Sequence, residues 1–524
     1  MHSGPETLFV FQTIGVALGA IPVLALPHNK LKSDGLALLF ALVYLLFPAI
    51  QGANLLDFHA VTLAPTFLLA AFYYLETRRP GRFALFAGLA VACKEDMTLL
   101  VLMMGLYALV IKRQYRLGVV TIGLSLLWAV LAVFVIPPAF ASTQNIHWTR
   151  YEHLGDSPAQ MVLNMVLEPQ RYLAHLQTIN ALAYFRQLLA PTAYLALLNP
   201  ITLLLAAPSF GINLLSNFPP MQRVNSLIYA APTVPAVMIS SIYGVANLRH
   251  WLAAARNQFP VISDQSSGID DQVSVESDQL FDRSRTTHHA LRTTFYALRP
   301  TSYNLLIALL ILSASLIYHR NHGYLPGGGR FRGWEEVTDH HRRAARIFAQ
   351  IPPEVALSAH DRLNPHVSQR ETLYIFDRIE DADHIVLDIT EDSWPLHPVA
   401  LRDRVEQLLG DGFGIVDAVD GYLLLAKDRP DLPVTLPDEF FDFARVAQAA
   451  PQYPTNIVFD DKLRLLGYDL SLGAHEAALP VITLYWQALQ PLEEDYAIWP
   501  FFIDRNGQVL EDTRRRPLVT TLWY

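Results

Sequence analysis

Two short turns hold the side chains best equipped for chemistry. One is the run NLLDFHA, with Asn54, Asp57 and His59; the other is ACKEDMT, with Lys94, Glu95 and Asp96. A carboxylate at a membrane–water boundary can serve as a general base or bind a divalent metal. A lysine there can meet a lipid phosphate as a point charge. The plainer alternative is helix ends in water, with Asp57 capping the helix that follows. The stretch 139–187 adds His147, Trp148, Arg150, Tyr151, Glu152, His153 and Asp156. Aromatic residues beside basic ones suit a headgroup or sugar surface, and the plainer alternative is interfacial anchoring by Trp and Tyr. The remaining histidines read as structural. His288-His289 and His340-His341 are adjacent and diverge on a helix, while His360 and His366 sit in SAHDRLNPHVSQR. Asp388 and Asp392 do not have the spacing of a nucleotide-sugar metal motif, and no serine-hydrolase, zinc-protease or dinucleotide fingerprint is present.

The elements that position these turns follow from composition. The chain has 524 residues, 52% hydrophobic and 17% charged, with a single cysteine, Cys93. Soluble domains carry about 25% charged residues. The lone cysteine excludes an internal disulfide, and the net charge of −9 argues against a nucleic-acid partner. Residues 1–250 hold 14 Lys/Arg and 9 Asp/Glu, whereas the rest hold 25 and 39. The first half is therefore suited to lipid and the second to water.

Uncharged runs map the spans: 7–29, 35–56, 58–75, 117–149, 187–222, 224–248 and 301–319, with shorter runs at 83–93 and 97–111. A helix needs about 20 apolar residues to cross a bilayer core. Lys30/Lys32, Arg78/Arg79/Arg82 and Lys112/Arg113/Arg116 mark cytoplasmic turns by the positive-inside rule. Helices at 8–27, 36–56, 59–76, 83–93, 97–111 and 117–138 then alternate, and both polar turns fall on the outer face. Segments 83–93 and 97–111 read as a hairpin, because one long helix would bury Lys-Glu-Asp in hydrocarbon. Asn199-Pro200 splits 187–222 into helices at 188–198 and 201–216. Helix 227–247 returns inward and 302–318 exits. Amphipathic helices lie on the membrane over 158–187. The opening MHSGPETLFVFQ lacks a basic n-region and a cleavage site, so the first run reads as a retained span.

The expected architecture is an α-helical multi-pass membrane domain at 1–320 with about ten helices. It includes an outer loop at 139–187 and a polar, disordered linker within 250–300. A small α/β extracytoplasmic domain at 330–428 and a partial β-sandwich at 455–524 follow. Gly327-Gly328-Gly329 reads as a flexible joint, and RPDLPVTLPDEF as a separator between the two soluble modules. Asp420-Gly421 and Asn506-Gly507 mark hairpin turns. The expected location is the plasma membrane, with both soluble modules outside.

The segment from NLLDFHAVTLAPTF through the Lys-Glu-Asp corner to VIKRQYRLG resembles a prokaryotic family of predicted membrane proteins, domain of unknown function 2079. LLLAAPSFGINLLSN and IPPEVALSAHDRLNPHVSQRETLYIF fit the same pattern, so the likeness covers roughly 5–428. LLGYDLSLGAHEAALPVITLYWQALQPLEEDYAIWPFFIDRNGQ resembles a β-sandwich module appended to bacterial membrane glycosyltransferases. The family is similar to the GT-C class of polyprenyl-phosphate-sugar glycosyltransferases. That likeness implies an extracytoplasmic active face, a polyprenyl-phosphate-linked sugar donor, and a glycan or protein acceptor. By residue, it implies that Lys94 meets the lipid phosphate and that Asp57, Glu95 and Asp96 supply the base or a divalent-metal site. His59, Asn54, Trp148 and Arg150 are the implied substrate contacts. Such enzymes also carry an acidic residue in a first outer loop after an earlier span. Met1 opens near the following span, so a fragment or a non-catalytic relative fits as well. The alternatives are a non-catalytic membrane protein whose outer modules bind glycans or partners, and a lipid-carrier transporter.

Overall fold

The structure is a computed structural model that describes residues 6–136, 146–155, 157–258, 300–333, 336–390, 396, 398–471, 481–492 and 501–512. Two compact units divide the chain, Glu6–Arg332 and Gly333–Tyr524.

The first unit is helical. Its opening elements are α1 (Glu6–Ala17), α2 (Ala20–Leu31), α3 (Asp34–Leu45), α4 (Pro48–Leu55), α5 (Ala64–Glu76), α6 (Pro80–Cys93), α7 (Met97–Val110) and α8 (Tyr115–Val130). The expected first span runs as one, Glu6–Leu31, with a turn between α1 and α2, and the second is bent between α3 and α4. Between α1 and α2 the Gly15 and Val16 carbonyls accept from Thr66 Oγ1 at 2.8 and 3.3 Å, and Tyr44 donates to Val16 O at 3.0 Å. Pro48 starts α4 at a 42° bend from α3, and Gln51 donates to the freed Leu45 carbonyl at 2.9 Å.

Segments α6 and α7 fold back on one another, separated by an extended Lys94 (φ −167°, ψ 148°). Glu76, at the end of α5, bonds Tyr107 and Lys112 beyond the middle of α7, at 3.1 and 2.6 Å. Val61, just ahead of α5, lies beside Lys94 and Asp96. So α7 runs parallel to α5 and antiparallel to α6.

Beyond α8 come α9 (Pro158–Leu167), α10 (Pro169–Thr178), α11 (Ala181–Leu189), α12 (Ala207–Leu215), α13 (Val234–Gln258) and α14 (Pro300–His322). The expected helix at 188–198 is instead two 3-10 turns, Ala190–Thr192 and Leu195–Leu198. Their exposed carbonyls are taken by α13: Ser240 donates to Ala196 O at 2.9 Å, and Asn247 donates to Leu198 O at 2.9 Å. A Cβ at Gly244 would lie 2.0 Å from Leu195 O, so glycine is what allows this approach. The chain turns at Asn199, whose side chain caps Thr202 N, and returns through α12. Asn213 on α12 reaches Tyr184 on α11 at 3.0 Å, so both ends of the hairpin sit side by side.

Charge sorts the two ends of the bundle. Glu76 holds Lys112, Arg249 donates to Leu31 O at 2.6 Å, and Lys30 lies over the Tyr243 ring at 4.5 Å. The basic turns thus gather at one end, and Lys94 and Asp96 lie at the other. Among the described residues, Glu6–Leu31, Tyr115–Val133, Ile228–Ala255 and Tyr303–His322 are long and apolar enough to cross a membrane, and α3–α4 is a fifth if counted as one bent span. Helix α13 is central and largely buried. Helices α8 and α14 expose Val119, Leu124, Leu127, Leu305, Leu309 and Leu310, as lipid-facing helices do.

The triple glycine is not a flexible joint. A Cβ on Gly328 would come within 2.2 Å of Gly323 O, and one on Gly329 within 2.6 Å of Asn321 O. Arg330 N donates to Gly323 O at 2.9 Å. The glycines let the chain fold tightly against the end of α14. The polar linker expected within 250–300 lies largely outside the described residues, which resume with α14.

In the second unit a five-stranded sheet has order β2-β1-β3-β5-β4. Its strands are β1 (Leu357–Ala359), β2 (Leu373–Ile375), β3 (His384–Asp388), β4 (Phe413–Val419) and β5 (Tyr422–Lys427). Strands β2, β1 and β3 are parallel, and β5 and β4 are antiparallel to β3 and to each other. One face packs Ile385, Leu387 and Leu425 against α16 (Pro398–Gly410), the other Leu357, Val386 and Leu424 against α15 (Asp339–Phe348). The separator belongs to this domain: Ile415 N donates to Pro433 O at 2.8 Å, and Phe440 is fully buried. Its Leu and Phe side chains close a core too small to end at residue 428.

Then come β6 (Tyr453–Phe459), β7 (Leu463–Ser471) and β8 (Val481–Ala488) as one antiparallel sheet, with β9 (Phe501–Ile503) and β10 (Val509–Asp512) as a separate ribbon. At the start of β6, Tyr453 pairs with Tyr468 of β7 and stacks on its ring at 4.9 Å. The rest of the expected sandwich, 472–480, 493–500 and 513–524, lies outside the described residues.

Candidate functional site

At the end opposite the basic turns, the helical unit holds a narrow cavity of about 330 Å³ counted out to its mouth. Lys94, Asp96, Ser209, Asn213 and Tyr229 supply its polar lining, and Val61, Met221 and Pro232 are among its apolar residues. Its inner part holds little more than a water.

The charged pair arises from the break at Lys94. Its extended backbone ends α6 and turns both Lys94 and Asp96 toward the bundle. Lys94 Nζ reaches Asp96 Oδ2 at 3.2 Å, with side-chain exposures of 35% and 19%. The other carboxylate oxygen, Asp96 Oδ1, is buried without a hydrogen-bond partner among the described residues. Such an atom is costly unless a ligand or water satisfies it. Burial raises the Asp96 pKa, Lys94 pulls it back, and neighbouring Glu95 adds to the rise.

Asn213 is the organising neutral residue. Its amide donates to Tyr184 Oη and to Tyr229 O, both at 3.0 Å, and Gln222 donates to Asn213 O at 2.7 Å. Tyr151 donates to Ile212 O at 2.9 Å, and burial pushes its phenol up to about 12. It therefore stays a neutral donor. Arg150 lies over the Phe218 ring at 4.4 Å and against Met221 Sδ at 3.9 Å, so its guanidinium flanks the cavity wall.

Of the residues singled out from sequence, the cavity brings together Lys94 and Asp96, while Arg150 touches only its Met221 wall. Glu95 is exposed on the turn and does not line the cavity. The first turn packs elsewhere. Asn54 pairs with Thr13 and with Gln12, which also accepts from His59 N at 3.0 Å. His59 Nδ1 turns back to its own Asp57 carbonyl at 2.9 Å, and the Asp57 carboxylate is exposed. The two turns share an end of the bundle but not a pocket. The Trp148 side chain lies outside the described residues. Sequence reading missed Ser209, Asn213 and Tyr229. The available signal was an asparagine and a serine inside an uncharged run, where polar groups need partners. Among the described residues no three of His, Cys, Asp or Glu converge as a metal's ligands would. The carboxylates here do not fit a divalent-metal site.

Comparison with curated proteins and with solved structures gave no match. The helices, their apolar outer faces and the polar end just described fall mostly within residues 2–263, half of the chain, which match the family model described as "Predicted membrane protein (DUF2079)". The chain belongs to that family.

Proposed function

We propose that this chain is a membrane-embedded, GT-C-like transferase that moves a sugar from a polyprenyl-phosphate donor to a glycan or protein hydroxyl. Its working groups are Lys94 and Asp96. The observation that carries the reading is the buried, unpartnered Asp96 Oδ1 beside Lys94 in a cavity at a bundle end. The acceptor oxygen would attack the anomeric carbon while the carbon–oxygen bond to phosphate breaks. Asp96 takes the hydroxyl proton, a role suited to a carboxylate whose basicity burial has raised. Lys94 meets the charge left on the departing phosphate. Arg150, on the Phe218 and Met221 side, would hold the donor headgroup nearby. No step is routed through a metal.

Charge supports the orientation. Lys30, Arg78, Arg79, Lys112 and Arg249 belong on the cytoplasmic side by the positive-inside rule. The cavity then opens outward, and the chain leaves the helical unit on the cavity side, because Tyr324 and Arg330 bond Asn225 there. The soluble modules are extracytoplasmic in this reading.

The test uses membranes carrying the full chain and a panel of radiolabelled polyprenyl-phosphate sugars. Transfer should be lost in both Lys94→Ala and Asp96→Asn and survive in Asp57→Asn. Equal transfer by all variants and wild type would remove this pair from the chemistry and leave the non-catalytic reading.

A further inference from the structure

Loop 221–232 forms one wall of the cavity with both of its flanks, Met221 on one side and Ile228, Tyr229 and Pro232 on the other. Its centre is Asn225, only 3% exposed. What grips that centre comes from the C-terminal segment of the helical unit, distant in sequence. Tyr324 Oη donates to the Asn225 carbonyl at 2.7 Å, and Arg330 donates to the same carbonyl at 3.3 Å and to Tyr324 Oη at 2.9 Å. The Asn225 amide donates to Tyr318 Oη at 2.7 Å. Tyr324 N is itself fixed by Gln51 Oε1 at 2.8 Å, and a Cβ at Gly52 would strike Asn225 O at 2.7 Å.

We propose that the segment from Tyr318 to Arg330 is a strap that latches loop 221–232 shut over the cavity, and that ligand entry requires the strap to release Asn225. Three features of the geometry lead there. The inner cavity is too small for any ligand larger than a few atoms, so a wall must move. The wall with both flanks on the cavity is this loop. Its centre is held by hydrogen bonds to a single distant segment, which can break together without disturbing α5, α7 or α13. The tight Gly323–Gly329 fold gives the strap a defined shape, so it can hold or release as a unit. This latch concerns access alone and does not depend on transfer chemistry.

The experiment reads access without a substrate. The full chain carries Cys93→Ala and Ile228→Cys, and is reacted in native membranes with a small, charged methanethiosulfonate. Glu95→Cys, exposed at the same end, is the control. Tyr324→Phe keeps the ring and removes the hydroxyl, and Arg330→Met removes the second donor. Losing a buried hydrogen bond shifts an opening equilibrium by about tenfold, so each should speed labelling at 228 by about that factor while position 95 keeps its rate. Unchanged labelling at 228 in both variants overturns the latch. Equal acceleration at 228 and 95 also overturns it, since that is general loosening.

Discussion

Two carboxylates of this chain lie beside a cationic partner in settings that differ in one respect. Asp96, in the helical unit, has Lys94 on one oxygen and nothing on the other, next to open space. Asp388, at the end of β3, is saturated. Its Oδ2 faces His340 Nε2 at 3.3 Å, and its Oδ1 accepts from Thr390 N and Oγ1 at 2.9 and 2.7 Å. His340 places its other nitrogen on Asp420 at 2.9 Å, and its ring lies flat on Tyr422 at 4.4 Å. A carboxylate on each ring nitrogen favours the charged imidazole. A saturated cluster has no capacity left for a ligand and acts as a pin between α15 and the sheet. An unsaturated pair beside a cavity has that capacity. Satisfaction of the polar atoms, rather than the presence of charge, separates a site from a strut.

The sharpest way to break this comparison is at Lys94. If the proposed sugar transfer is this chain's activity, Lys94→Ala should cut it by about a hundredfold or more while the helical unit's thermal unfolding stays close to wild type. If the variant instead unfolds, the pair is a strut like His340 and the distinction fails.

His340→Ala should do the reverse. Leaving Asp388 and Asp420 without their partner should destabilise the α/β domain by about 2–4 kcal/mol, seen as faster proteolysis of the soluble half and a lower denaturant midpoint. The proposed transfer at the helical site should persist.

A smaller loss, about 1–3 kcal/mol, is expected for Gly421→Ala. This turn has φ +83°, and a Cβ would lie 2.3 Å from the Thr390 methyl that backs the same cluster. Denaturant unfolding measures it, and an unchanged midpoint would mean the turn relaxes freely.

The smallest effect is the pH dependence. Partial burial opposes charge on His340, but its bonds to Asp388 and Asp420 prevail and its pKa is raised. Burial likewise opposes charge on Asp388, yet His340 and Thr390 hold it below the usual carboxylate range. The histidine's contribution is complete below its ordinary value of about 6.5 and is lost as pH rises through the raised one. The aspartate's is complete above about 3.9 and is lost as pH falls through the depressed one. Domain stability should therefore peak between about pH 4 and 6.5 and decline on either side, and His340→Gln should flatten the upper limb. A profile that keeps rising past neutrality would contradict a charged imidazole.

Much of this was legible without coordinates, and the reason differs by region. Apolar runs long enough for a bilayer, and basic turns between them, located most of the helical segments though not 188–198, because lipid tolerates neither unpaired backbone nor stray charge. The break at Lys94-Glu95-Asp96 followed from the same rule. In the soluble half, Asp420-Gly421 located the turn between β4 and β5, and Asn506-Gly507 the one between β9 and β10.

Tertiary structure decided what those rules leave open. A histidine doublet reads as two diverging rings, and only the fold shows one of them, His341, bonding Thr338 at the head of α15 and the other bridging two aspartates 32 residues apart. A triple glycine reads as loose chain, whereas here the missing Cβ atoms are what permit close packing. The site itself divides the same way. Residue type and helix ends nominated Lys94 and Asp96, but their pocket mates come from Asn213 and Tyr229, more than 110 positions away, rather than from Asp57 and His59. Local sequence determines where a helix must stop and which charges must stay at its ends, since those costs are paid residue by residue. Which ends then share a cavity depends on packing between distant segments, and only the folded chain settles it.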